Sequence, residues 1–386
     1  MDFKYRDILL NDKQLGPYPL EKLKRTANQT AGYTGEISQR SEQDSAIAKA
    51  LRSDLGKRVI SSGVRFNDRD PLCSSLISLQ KHIAQFKLPD VAATRVSLPD
   101  DPRILSRHIK SLGYFLGADM VGICRLPKSA IYSEAWEKLG QDSLYENAVV
   151  LLNVKKTDVS RQSYGREWID DPISFQSYQR CACQAQAMAG YIRRLGWRAD
   201  SSIFAKYSTL LPQLVIESGL GEESRLGIPL NPFVGAAFKV SAVLTDLGME
   251  PDMPIDFGLQ EYCEKCRICA EKCAMQAISY GGKVEYNGYM RWLTDGDKCA
   301  AGVLTNKIGN ICQRCTKVCP WNRRDNSPQD FASWDGSTAA LHDSADRQAK
   351  MLRENNFVEP EELREKWWFP LVREGDCLIE GKEHEY

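Results

Sequence analysis

Regular apolar spacing begins only after Pro102. From Ile104 to Leu116 apolar residues recur at helical intervals, and Gly117-Ala118-Asp119 predicts the stop. Met120 to Leu126 then reads as a short strand, and the apolar run Ala148 to Val154 as a buried one. Ser177 to Gly196 is the clearest helix: Met188, Tyr191, Ile192 and Leu195 share one face, and Gly196 ends it. Pro212 to Ser218 reads as helix and Val240 to Leu247 as strand. Helix and strand interleave, which predicts an α/β or α+β core.

The flanks differ in character. Residues 1–95 are polar and broken by Gly, Pro, Asn and Asp, the pattern of a wrapping segment with short helices. The expected division is therefore 1–95 wrapping segment, 96–255 core, 256–325 cysteine-rich domain and 326–386 tail packing on the core. In the tail, Lys366-Trp367-Trp368-Phe369-Pro370 is the one strongly apolar feature, readable as core, as a lid or as a homodimer patch. A chain of 386 residues fits two or three units at ~150 residues per domain.

Composition narrows the function classes. Hydrophobic residues make up 42% and charged residues 26%, which excludes a disordered or fibrous chain. Lys+Arg and Asp+Glu are both 51, so no bulk field favours nucleic acid or an anionic membrane. No apolar run approaches the ~18 residues of a membrane span. The start, MDFKYRDILLNDKQ, has neither a secretory h-region nor a twin-arginine pair, so a cytoplasmic location is expected. In that reducing compartment 13 cysteines suggest metal or redox chemistry rather than disulfides.

Eight of those cysteines lie between Cys263 and Cys319. One run is Cys263-x2-Cys266-x2-Cys269-x3-Cys273; the other is Cys312-x2-Cys315-x3-Cys319-Pro320, with Cys299 upstream. The first run has the spacing of the bacterial two-cluster signature, whose fourth thiolate reaches the other cluster. Cysteines at x2 intervals curl a loop around one cubane, while x3 carries the last sulfur along a helix to its neighbour. Applied to both runs, Cys263, Cys266, Cys269 and Cys319 hold one [4Fe–4S] cluster, and Cys273, Cys299, Cys312 and Cys315 hold the second. Ala274 stands where the signature usually has proline, which supplies no ligand. Zinc sites use paired C-x2-C knuckles instead of a triple run. Cys73, Cys124, Cys181, Cys183 and Cys377 follow no such pattern, and Cys124 reads as core packing.

A two-cluster ferredoxin needs far less chain than this, and common electron acceptors leave no trace. There is no Gly-x-Gly-x-x-Gly after a strand, no Gly-x4-Gly-Lys-Ser/Thr, and only four scattered histidines, His82, His108, His342 and His384. Several motifs nevertheless stand in a telling order. They are Gly16-Pro17-Tyr18-Pro19 with Glu21 to Arg25, Tyr191-Ile192-Arg193-Arg194-Leu195-Gly196-Trp197, and the Gly219-Leu220-Gly221-Glu222 turn. Thr245-Asp246-Leu247, Pro254 to Gly258 and Tyr289-Met290-Arg291-Trp292 follow. Across most of residues 13 to 325 the chain resembles the cobalamin-dependent reductive dehalogenases, relatives of the epoxyqueuosine reductases.

The resemblance implies an α+β fold. Its nitroreductase-like core sheet with flanking helices binds a base-off corrinoid, and a ferredoxin-like two-cluster domain passes in electrons. It implies that Tyr178, ahead of Tyr191-Ile192-Arg193, donates the proton that replaces the halogen. Lys239, before the Thr-Asp-Leu strand end, then stabilises the tyrosinate; a phenol is by itself a sluggish acid. A tyrosine on such a helix and a lysine beside a strand are otherwise ordinary core and edge residues. Gly219, Gly221, Glu222, Ser224, Arg225, Gly227, Asn231 and Gly235 are expected against the macrocycle, where glycines permit close approach. The implied substrate is a small organohalide, with Lys239 hinting at a halogenated phenol, and a separate ferredoxin or flavin reductase is the expected electron donor. The alternatives are an epoxyqueuosine reductase-like enzyme acting on tRNA, which the neutral charge disfavours, and a non-catalytic electron carrier or corrinoid-reactivating partner.

Overall fold

The computed structural model describes residues 14–57, 59, 71–139, 145–156, 159, 168–305, 312–324, 326–354, 368, 371–374 and 377–380. Its centre is a four-stranded sheet of β1 (Met120–Arg125), β2 (Asn147–Val154), β3 (Ala199–Ser202) and β4 (Phe238–Thr245), in the order β1-β2-β4-β3. Every neighbouring pair is antiparallel, so the core is α+β.

Strand alternation divides the core in two. Met120, Ala148, Val150, Leu152, Ala242 and Leu244 face a cluster with Tyr18, Leu20, Phe257, Trp292 and Trp321. Val121, Ile123, Val149, Leu151 and Val243 face the opposite way, onto the helices α2 (Pro102–Phe115) and α3 (Asp170–Arg194), and α1 (Pro71–Ala84) packs on α3. Burying both faces explains why β2 is an almost unbroken apolar run. Its two asparagines are satisfied: Asn147 Nδ2 donates to Leu247 O at 2.9 Å, and Asn153 and Gln184 of α3 exchange amide bonds at 2.6 and 3.0 Å.

Helix α2 begins under Asp101, whose side chain accepts from Arg103 N, and ends before Gly117 in the left-handed region. Helix α3 lies on the sheet through Cys181, Ala182, Ala185 and Ala189, small side chains that allow close approach. It begins at Asp170, well ahead of the apolar stretch that announces it in the sequence. Its polar first turn is buried by an ion pair between Asp170 and Lys317, at 2.9 Å. The N-terminal segment runs along the cysteine-rich unit, with a bridge between Arg25 and Ile255 and another between Tyr33 and Tyr289.

The cysteine-rich unit is built from α5 (Leu259–Cys266), a hairpin of β5 (Val284–Tyr286) and β6 (Tyr289–Arg291), and α6 (Gly296–Thr305). Helix α4 (Leu211–Glu217) precedes it, and α7 (Thr338–Glu354) covers it. Of the apolar tail motif only Trp368 lies within the described residues. It is buried against Val159, Ile169 and Ile173, a core position. No helix among the described residues is long and apolar enough to cross a membrane.

Candidate functional site

Lys239 leads the sheet face that meets α3. It pairs with Asn153 of β2, and two residues on, Ser241 Oγ donates to Cys181 O at 2.9 Å. That register sets Lys239 opposite Tyr178, one turn before Cys181. The Lys239 Nζ stands 4.4 Å from the centre of the Tyr178 ring, a contact that draws an ammonium to an aromatic face. Phe204 stacks at 5.0 Å from Tyr178 and Phe175 at 6.0 Å. Tyr207 is a further neighbour: burial first, then the Tyr178 phenol, raises its own phenol well above the ordinary range. Residues 238–240 of β4 are only half-buried although the strand is central and 241–245 are buried. The end of β4 that carries Lys239 is therefore less covered than the rest of the strand.

The eight cysteines gather into two sets. Cys263, Cys266, Cys269 and Cys319 line one cavity, together with Arg225, Tyr262 and Trp321. Three donors around it are buried without a hydrogen-bond acceptor: Arg225 Nη2, Tyr262 Oη and Trp321 Nε1. Sulfur acceptors in the cavity would satisfy them, so the donor set fits a cluster. Burial pushes the Cys263 and Cys269 thiols up to about 12, so cluster binding must displace protons.

The second set is more open. Cys299 is exposed and Cys273, Cys312 and Cys315 are half-buried. Burial raises the Cys299 thiol, followed by the fields of Cys273, Cys312 and Asp295; Cys315, pushed up to about 12 by burial, feels Cys299, Cys269, Cys312 and Cys273. Among the described residues no three His, Cys, Asp or Glu side chains close around a single ion, the arrangement a zinc site needs.

The second set is keyed into the sheet core. Gln313 accepts from Lys155 Nζ at 2.6 Å and donates to Asp170 O and Ser174 Oγ, at 3.3 and 3.4 Å. Lys155 is buried, and loss of solvent brings its ammonium down to about 7, with Lys239 the next contributor. Sequence reasoning missed Lys155, Gln313, Phe204 and Tyr207. Register is the signal for the first: Lys155 follows Asn153, the partner of Lys239, on the neighbouring strand.

In the turn expected against a macrocycle, several side chains have protein partners. Glu222 accepts from Phe257 N at 2.6 Å and from Thr30 Oγ1, and burial pushes its carboxyl up to about 7. Ser224 Oγ donates to Ile228 O, and Asn231 bonds Leu220 O, Phe233 N and Val234 N. Arg225 belongs to the first cysteine cavity. A side chain at Gly219 would strike Arg25 and Met253, one at Gly221 Leu230, one at Gly227 Thr294, and one at Gly235 Asn322. Asn322 in turn accepts from Ala236 N at 2.7 Å.

Residues 262–323 match the 4Fe-4S dicluster domain family. The chain is 28% identical over 272 residues to a tetrachloroethene reductive dehalogenase of Sulfurospirillum multivorans, covering 61% of this chain and 53% of that one. The solved structure of the catabolic reductive dehalogenase NpRdhA superposes with a TM-score of 0.83 and 31% identity, covering 97% of this chain and 55% of that one. A shorter match, 32% over 116 residues, 29% of this chain and 30% of the relative, is to an epoxyqueuosine reductase of Staphylococcus aureus. The chain spans about half the length of the reductive dehalogenases it matches. The likeness read from its motifs thus extends along nearly the whole chain, and the mixed helix–sheet fold with a dicluster unit is shared with those proteins.

Proposed function

We propose that this protein is a corrinoid-dependent reductive dehalogenase. It removes halide from a small organohalide of the halogenated phenol class, using two electrons and one proton. The observation that carries the reading is the Lys239 ammonium over the Tyr178 ring at the half-buried end of β4, in a chain that also gathers two sets of cysteines. A solved form of NpRdhA holds 3-bromo-4-hydroxybenzoic acid, which supports a phenolic substrate class for the proposal.

When bound, the corrinoid supplies cobalt that acts on the carbon–halogen bond, with electrons delivered singly by clusters on Cys263, Cys266, Cys269, Cys319 and on Cys273, Cys299, Cys312, Cys315. Tyr178 gives its hydroxyl proton to the carbon that loses halide. Lys239 holds the tyrosinate that remains until the phenol is reprotonated. Phe204, Phe175 and Tyr207 fix the ring and limit water around it. The core is taken as nitroreductase-like. Corrinoid contact is assigned to the main chain of the Gly219–Gly235 region, with the loop from Asn231 to Gly235 nearest β4, because Glu222, Ser224, Arg225 and Asn231 spend their side chains on the protein. A ferredoxin or flavin reductase in a reducing cytoplasm would supply the electrons.

The test is anaerobic reconstitution with iron, sulfide and hydroxocobalamin, followed by metal analysis, EPR and halide release from a halophenol series. About eight irons, one retained cobalt and released halide are expected. Eight irons without retained cobalt would leave an electron carrier and end the dehalogenase reading.

A further inference from the structure

We infer that Arg225 raises the reduction potential of the cluster held by Cys263, Cys266, Cys269 and Cys319. The inference rests on the cluster reading of these cysteines and adds to it a control of electron flow by this chain's own residues.

Arg225 has no solvent-exposed side-chain surface. Its Nε donates to Cys263 O at 2.9 Å, and Nη1 donates to Ser279 O and Gly281 O at 2.9 and 2.7 Å. These bonds, with the Trp292 ring 4.8 Å from its Cζ, fix the guanidinium as part of the cavity wall. Nη2 has no hydrogen-bond acceptor, and Glu264 Oε2 stands 3.5 Å from it. That carboxylate is half-exposed and shared, accepting from Trp292 Nε1 at 3.1 Å and pairing with Arg267 at 3.4 Å. A guanidinium cannot discharge by losing its proton, so the cavity carries a fixed buried cation with one N–H left over.

The surroundings reinforce it. Arg353 Nη2 donates to Cys266 O at 2.9 Å, and buried Arg324 lies 4.4 Å from the Trp321 ring centre. The carboxylates that act on this set are Glu264, Glu271 and Asp346 near Cys266, and Glu222 near Cys263. Around the second set Asp295, a carboxylate, acts on Cys299, and the buried Lys155 ammonium lies near Cys315.

An oxidised cubane on four thiolates carries about two negative charges and gains another on reduction. A buried cation stabilises the reduced form more than the oxidised form, and so does an N–H aimed at sulfur. Enclosure alone works against the added charge, and Arg225 offsets it. The step is one electron entering the cluster, with no bond made or broken.

The experiment is an EPR-monitored redox titration of the reconstituted protein with a low-potential chemical reductant. Arg225→Gln is expected to lower one of the two cluster midpoints by about tenfold in equilibrium constant, ~59 mV for one electron, and to leave the other in place. Arg225→Lys, which keeps the charge, should retain most of the parent value. Glu264→Gln, at a half-exposed position, should move the same midpoint upward. If Arg225→Gln sheds iron, Glu264→Gln still decides. Unmoved midpoints in a variant that keeps about eight irons overturn the inference, and a parent without eight irons overturns the cluster reading beneath it.

Discussion

The two cysteine cages are made from the same two runs of sequence and differ in nearly every physical respect. The first is enclosed, walled by Arg225, Tyr262 and Trp321, and faced by guanidinium groups. The second has an exposed cysteine with a carboxylate neighbour, carries the buried Lys155 ammonium near Cys315, and is tied to the sheet core through Gln313 and Lys155. Thiolate spacing thus decides only that a cluster is held. Burial and the sign of nearby charge decide how readily it takes an electron and from which side it is reached.

The harshest way to break this comparison is to remove one ligand from each cage. Cys319→Ala and Cys299→Ala should each drop iron from about eight to about four per chain and abolish turnover. Cys319→Ala should lower the thermal midpoint more, because its empty cavity lies within the main hydrophobic cluster while Cys299 is exposed. Equal midpoints would erase the distinction between enclosed and open cages.

Proton delivery can next be separated from electron delivery. Tyr178→Phe should cost ~10²–10⁴ in halide release, and Lys239→Gln should cost less, while iron content and both cluster midpoints stay at parent values. A midpoint shift in either variant would place the pair within a cage's electrostatics.

The enclosed side should also carry a pH signature. Glu222 has its folded carboxyl raised to about 7, so it contributes stability that is full below the ordinary carboxylate range and lost as pH rises toward 7. The slope is at most ~1.4 kcal/mol per pH unit. Urea midpoints of the parent should fall between pH 5 and 7, and Glu222→Gln should flatten the fall. A variant with the parent's slope would assign the titration elsewhere. Smallest is the tie to the open cage: Gln313→Ala leaves the buried Lys155 without its acceptor and should cost about 1–3 kcal/mol in urea unfolding, with iron retained.

Local pattern carried the elements well where apolar periodicity was strong. β2 is expected from Ala148 and found from Asn147, and α2 is expected from Ile104 and found from Pro102. It carried the start of α3 badly, because Asp170 is buried by a lysine distant in sequence and reads locally as surface. The grouping of the cysteines was legible, since covalent spacing fixes which sulfurs share a loop. Arg225 stands in a motif that reads as cofactor-facing, yet its guanidinium reaches the carbonyl of Cys263, a meeting set by the packing of the turn on α5. Lys155 was invisible for a related reason: a lysine after a strand looks solvated until the tertiary fold covers it.

Each cage borrows one sulfur from the other run, Cys273 crossing one way and Cys319 the other. During synthesis, one cubane cannot receive its fourth ligand until Cys315 has emerged and the other until Cys319 has, so loading waits for nearly the whole unit. Once loaded, the two inorganic cores act as rivets through the same two loops. A chelator that strips one should loosen the grip on its neighbour, and iron should leave in a single cooperative step instead of two independent halves.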